Sequence, residues 1–319
     1  MAVPGRFAEV ARQVRNWGRW GDDDELGTLN LIDDAARRRA AASIRTGRAY
    51  PLGLPLSESE GIQMGFVPGR SNPHRTMIAV DSPLSSDPEW IRASEDVVDM
   101  ALQCATHWDA LAHASYGGHI YNGFPSTSVT EAGAGRCGIH LVRTLVSRGV
   151  LLDVARARGV PVLEPGYAIT PDDLDAALDL AAVSLEPGDV VLVRTGQMVH
   201  LALTGDDSPR RRHRDLTAYT WPSPGLTMGT APWFHARDVA AVATDTLPLE
   251  VFPGEDEGIY LPVHLLHLVE MGMTQGQNWV LDELSEACAS DGRYTFFLDA
   301  TPLPFTGGLG SPLNPLAVR

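Results

Sequence analysis

Residues 170–194 constrain the fold more than any other stretch. Thr170 to Leu185 (TPDDLDAALDLAAVSL) reads as a helix, and Asp189 to Arg194 (DVVLVR) reads as a strand directly after it. Thr170 suits the cap, Pro171 the first turn, and acids follow near the positive helix end. Leu174, Leu178 and Ala181 form the apolar stripe, and Glu186-Pro187-Gly188 ends the helix. An unbroken apolar strand is covered on both faces, so helices must pack over a sheet. The same interleaving runs along the chain. Leu31 to Ile44 reads as a helix, with Asn30 or Asp33 as its cap. Arg75 to Val80, Val97 to Cys104, the runs at 139–152 around Gly149, and Val239 to Asp245 read as strands. Pro262 to Met271 is expected to be a short amphipathic helix, and Tyr294 to Asp299 the last strand. The expected fold class is α/β with a mixed central sheet. One domain is expected over 1–319, with an N-terminal arm and helix at 1–90, loop-like at 50–75, and a core at 91–319.

Composition removes several functions. All 25 basic residues are arginine. A lysine Schiff base, a pyridoxal phosphate site, a phosphate-loop lysine and a kinase-type ATP lysine are therefore excluded. A net charge of −15 opposes a nucleic-acid partner, because phosphate binding needs clustered cations. Cys104, Cys137 and Cys288 are odd in number and far apart, which implies no disulfide framework and no cysteine zinc site. No signal-like stretch and no run of about 18 apolar residues is seen, so a cytoplasmic protein without a membrane partner is expected.

The densest polar stretch is Gln103 to Asp109 (QCATHWD), followed by His113. If the strand from Val97 continues, Gln103, Ala105, His107 and Asp109 share one face. A helical turn would return His113 to the same point. Imidazole, carboxylate and amide oxygen together suit Zn²⁺ or Mn²⁺, but equally a capped strand end with hydrogen-bonded histidines. His264 falls in the first turn of the helix at Pro262, where the positive helix end favours a neutral imidazole, with His267 expected on the same face. A histidine among leucines is more often a core residue. Gly133 to Gly138 matches GxGxxG but lacks the preceding strand of a dinucleotide site. Arg210 to Arg214 (RRRHR) reads as a solvated loop. No GxSxG occurs, so a nucleophile-elbow serine hydrolase has no support.

Residues 103–113, QCATHWDALAH, resemble a variant of the HxGTHxDxxxH signature of the cyclase family, which includes kynurenine formamidases and isatin hydrolases. Asn16 to Asn30, Ser147 to Asp153, Asp189 to Gly196, Asp245 to Pro248, Pro262 to Leu266 and Thr306 to Pro315 resemble its long-chain members in the same order. The resemblance implies a swivelling β/β/α domain, a homodimer or homotetramer, and divalent-metal hydrolysis of amide-like bonds. It places His107 and Asp109 on metal-ligand positions, His113 on the catalytic histidine and His264 on the downstream site histidine. Gln103 stands where the signature has histidine, and Gln277 where the family has a metal-site glutamate. Glu270 is a poor substitute, lying about 240° round the helix from His264. With Asp109 the one remaining carboxylate, the implied metal site is short of charge.

The function expected is hydrolysis of an amide, imide or lactone bond in a small cyclic or aromatic substrate. His107, Asp109, His264, Gln103 and Gln277 would hold Zn²⁺ or Mn²⁺, and His113 would shuttle the proton. Trp20, Phe66, Trp108 and Tyr121 are the candidate substrate walls. The alternatives are a lyase, dehydratase or true cyclase with weak or no metal, and a non-catalytic small-molecule binder.

Overall fold

In the computed structural model, which describes residues 4–201, 215–255 and 258–319, the apolar run at 190–194 is buried along its whole length. The arginine run at 210–214 lies outside the described residues. In chain order the strands of three or more residues are β1 (Ala49–Pro51), β2 (His74–Pro83), β3 (Arg92–Asp99), β4 (His107–Asp109), β5 (Val146–Asp153) and β6 (Val190–Arg194). They continue with β7 (Ala241–Thr244), β8 (Gln275–Gln277), β9 (Thr295–Asp299), β10 (Gly310–Pro312) and β11 (Leu316–Val318). β2 and β3 pair with each other as a ribbon, and the rest form a nine-stranded sheet ordered β1-β11-β9-β5-β6-β7-β8-β4-β10. β5 to β8 run parallel, with antiparallel strands on both sides.

Strand alternation divides the core in two. Val191, Val193, Val150, Leu152 and Val242 pack on one side of the sheet, and Val190, Leu192, Leu151, Ala241 and Ala243 on the other. Each fully buried Val or Leu contributes about 1.5–3 kcal/mol, so the two-sided burial of β6 anchors the fold. Gly149 faces Phe296 in the β5–β9 register. A Cβ there would stand 2.1 Å from that ring, so only glycine lets the ring cross the strand.

The helix predicted at 170–185 is Pro171–Ala181, with the full capping box between Thr170 and Asp173. It stops early because Ala182 turns left-handed at φ 51°. The helix predicted at 31–44 begins instead at Asp34, where the Asp33 carboxylate accepts from the Ala36 N–H. Three further expectations are corrected. The strand from Val97 ends at Asp99 and a turn fills 100–106, because β3 pairs with β2 whereas β4 pairs with β8 and β10. The helix at 262–271 is α-helical over Pro262–His264 and then widens to a π-helix over Leu265–Met271. β9 is not the last strand, since the glycine-rich C-terminal stretch supplies β10.

The stretch after Asn16 has a structural task. Its backbone N–H donates to Glu270 O at 2.9 Å, Asn16 Nδ2 to Met271 O at 2.9 Å and Trp17 Nε1 to Val269 O at 2.7 Å. Thr28 N–H donates to Gly272 O at 2.9 Å. Carbonyls that a helix end leaves without partners are thereby satisfied, and the π-helix following His264 is fixed from below.

Candidate functional site

β4 is three residues long, all buried, and lies between β8 and β10. Alternation sends His107 and Asp109 to one face and Trp108 to the other. A turn over Leu111–His113 follows and brings His113 Nε2 to 3.7 Å from Asp109 Oδ1. His107 Nε2 stands 3.5 Å from the same oxygen, and His264 Nε2 stands 3.9 Å from Oδ2. Gln277, paired with His107 in the β8–β4 register, donates its amide to Asp109 Oδ2 at 2.8 Å. Gln275 Nε2 donates to the same oxygen at 3.3 Å, so three imidazoles and two amides surround one buried carboxylate. The imidazoles, Asp109 and Gln277 line a cavity of about 470 Å³ that is otherwise lined largely by apolar side chains, among them Phe66, Leu247, Phe252 and Tyr260.

Burial by itself would raise the pKa of Asp109, but the neighbouring His113, His107 and His264 imidazoles hold it well below the usual carboxylate range. Asp109 is an anion at any working pH. His113 is pulled up by Asp109, yet burial and the neighbouring His264, His107 and Arg70 leave it below its ordinary value. It is therefore neutral at pH 7 and free to accept a proton. Cys104 is no competitor as a nucleophile, because burial pushes its thiol up to about 11.

The imidazoles are oriented from behind. His107 Nδ1 lies 2.6 Å from Ala105 O, an atom that only accepts, so Nδ1 carries the proton and Nε2 presents its lone pair. His264 Nδ1 meets the buried Glu250 carboxylate, which also accepts the Val263 and His264 backbone N–H groups at 2.9 and 3.0 Å. Asp109 Oδ1 and Gln277 Oε1 are buried acceptors without a hydrogen-bond partner among the described residues. Atoms sharing one ion through bonds near ~2.1 Å lie about 3–3.5 Å apart. The separation of His107 Nε2 from Asp109 Oδ1, 3.5 Å, is of that size. These donors fit a divalent cation. Among the described residues no three His, Cys, Asp or Glu side chains form a metal-holding group by themselves. A cation here must also draw on Gln277, a neutral and weak ligand.

Of the residues singled out from sequence, the fold brings together His107, Asp109, His113, His264 and Gln277, with Phe66 in the wall. Gln103 stands apart. Its amide rests over Gly310, opposite Asp109 in the β4–β10 register, and it is not part of the cavity wall. The other aromatic candidates are corrected. Trp108 is on the far face, donating to Ala300 O at 2.8 Å and packed on Trp279. Tyr121 is buried in a separate cluster, with its hydroxyl on Asp24 at 2.9 Å. Trp20 carries the Arg19 guanidinium on its ring, away from the cavity. His267 does not share the face of His264, because the helix widens between them; it is buried with Nδ1 on Gln275. Glu270 bonds Arg15 and Tyr116 outside the site. Sequence reasoning missed Glu250 and Arg70; an acid two residues past Leu247-Pro248 and an arginine in a Gly/Pro/Ser-rich stretch carry no spacing that marks them.

Fold and site together define an α/β protein whose sheet presents a histidine–carboxylate cluster to a small-molecule cavity. A sequence profile of the Cyclase family, described as "Putative cyclase", matches residues 50–251. The crystal structure of a protein described as a novel cyclase is 38% identical, with a TM-score of 0.84, covering 97% of this chain and 99% of that one. The chain belongs to the cyclase family. Isatin hydrolase A from Labrenzia aggregata, bound to benzyl benzoate, shares the fold at 20% identity and a TM-score of 0.61, over 87% of this chain and 94% of that one. Isatin hydrolase A from Ralstonia solanacearum does so at 20% identity and a TM-score of 0.60, over 89% and 96%. Comparison with curated protein sequences gives no match.

Proposed function

We propose that the chain is a metal-assisted hydrolase opening an amide, imide or lactone bond in a small cyclic or aromatic molecule. The observation that carries this reading is the convergence of three imidazoles on buried Asp109 at the polar end of an apolar cavity. The shared fold with isatin hydrolases supports the same class. Zn²⁺ or Mn²⁺, held by His107, Asp109, His264 and Gln277, would supply a water of lowered pKa and polarise the substrate carbonyl. His113 does the proton work. Neutral at pH 7 and partly open to the cavity, it takes a proton from the attacking water and returns it to the leaving nitrogen or oxygen. Ionised Asp109 favours the imidazolium that forms in between. Glu250 keeps His264 in the tautomer whose Nε2 faces the site. Phe66, Phe252 and Tyr260 hold the apolar body of the substrate and exclude water.

Turnover of isatin and a panel of cyclic imides and lactones tests this, with metal content measured on the same sample. Turnover that requires Zn²⁺ or Mn²⁺ and disappears in His113→Gln is the expected result. No turnover of any of them by metal-replete protein would sink the reading. The Gln277 amide bonded to Asp109 favours a second one, elimination or ring closure by His113 and Asp109 with weak or no metal. Undiminished turnover after chelation would select it.

A further inference from the structure

We infer that Arg70 is the anion-recognition residue of this cavity, and that the molecule it admits carries a carboxylate besides the bond that reacts. The inference rests on the cavity being the ligand site, as proposed above. Arg70 ends a turn in the long connection between β1 and β2, its backbone N–H donating to Val67 O at 3.1 Å. Its side chain joins Phe66 and Val67 in the cavity wall, where it is the one lysine or arginine among the described lining residues. Two more deeply buried arginines are paired: Arg148 with Asp189 at 2.6 Å and Arg194 with Asp153 at 3.0 Å. Among the described residues no carboxylate lies within ion-pair distance of Arg70.

A half-buried charge without a counter-ion costs free energy, and a guanidinium does not escape that cost by losing its proton. Burial lowers the pKa of Arg70 and the Asp109 and Cys104 charges raise it. Asp109 is already engaged by Gln277 and faced by three imidazoles. The missing counter-charge is thus left for a ligand to bring. A planar guanidinium offers paired N–H donors that match a carboxylate. Arg70 lines the same cavity as His113 and His264, so a bound anion shares that space with the groups assigned to the reaction. Trp221, Leu247, Phe252 and Tyr260 leave the rest of the cavity for a hydrocarbon or aromatic body. The ligand class is a small aromatic or alkyl carboxylic acid.

Calorimetric titration with benzoate and its neutral isostere benzamide tests this on wild type, Arg70→Met, Arg70→Gln and Arg70→Lys. Wild type should bind benzoate about tenfold or more tighter than benzamide. Arg70→Met and Arg70→Gln should lose that preference while still binding benzamide, which shows that the cavity is intact. Arg70→Lys should keep part of it. The readout is equilibrium binding and needs no turnover, so the result stands apart from the fate of the hydrolase reading. Two outcomes would overturn the assignment. One is a wild type that shows no preference or no benzoate binding at millimolar concentration. The other is a preference that survives in Arg70→Met, which puts the anion on another group.

Discussion

His113 is a catalytic candidate because of four residues it does not adjoin in sequence. Its imidazole is drawn up by Asp109 and driven down by burial and by His264, His107 and Arg70, and the net direction is down. The active form is neutral, so activity fails as pH falls and the imidazole protonates. We expect kcat/KM to show an acid limb lying below the ordinary histidine range near ~6.5, and His113→Gln to remove both the limb and about 10²–10⁴-fold of the rate. A limb that persists unchanged in the variant assigns the proton transfer elsewhere. At this scale the sequence was half informative. Alternation placed His107 and Asp109 on one face, since a three-residue strand suffices for that. It had no means of finding Glu250, whose role depends on a helix start 13 residues later folding back over it.

Elements are held to each other by single buried polar groups. Asp245, just past β7, accepts from Thr195 N–H at 2.8 Å, Thr195 Oγ1 at 2.7 Å and Gly196 N–H at 2.7 Å, joining the ends of β6 and β7 beneath the cavity. Asp245→Asn turns an amide NH₂ toward one of those donors. We expect a loss of about 1–3 kcal/mol, read as a lower midpoint in urea; an unchanged midpoint would show that the junction holds without the carboxylate. His267, in the π-helix, is pressed down to about 3 by burial and the His264 charge, against its hydrogen bond to Gln275. Its folded pKa lies below its unfolded value, so the stability it contributes is present above about pH 6.5 and lost as pH falls toward 3. Between pH 7.5 and 5 this amounts to about 2 kcal/mol. Urea unfolding of His267→Phe at those two pH values should show a difference smaller by that amount than wild type. An equal difference would clear His267 of responsibility for acid sensitivity.

The whole molecule leaves one element without a core. β2 and β3 form a two-stranded ribbon whose side chains are almost all exposed, Ile78, Val80, Val97 and Val98 among them, and the turn joining the strands adds Leu84, Ile91 and Trp90 (79% exposed). Such a ribbon is marginal alone in water, and an apolar surface of this kind marks an association site. We propose that a second copy of the chain covers it, in keeping with the homodimer or homotetramer implied by the family resemblance. Light scattering after gel filtration should give a dimer or tetramer for wild type and a smaller species for Trp90→Asp with Ile78→Asp. A monomeric wild type would leave the ribbon without this occupant. Among the described residues no helix is long and apolar enough to cross a membrane.

What the sequence determined by itself was whatever depends on neighbours a few residues away. The capping box of Thr170 and Asp173, the two-sided burial of β6 and the shared face of His107 and Asp109 all follow from local periodicity. The family resemblance extended this reading to His264 and Gln277 by matching known positions. The tertiary structure decided everything set by contacts between distant strands. The β4–β10 register put Gln103 over Gly310, beside the cluster and not in it. Alternation within β4 sent Trp108 into the core, and the long connection between β1 and β2 brought Arg70 to the cavity. Periodicity reports which face a residue shares with its neighbours; only chain crossings report what that face meets.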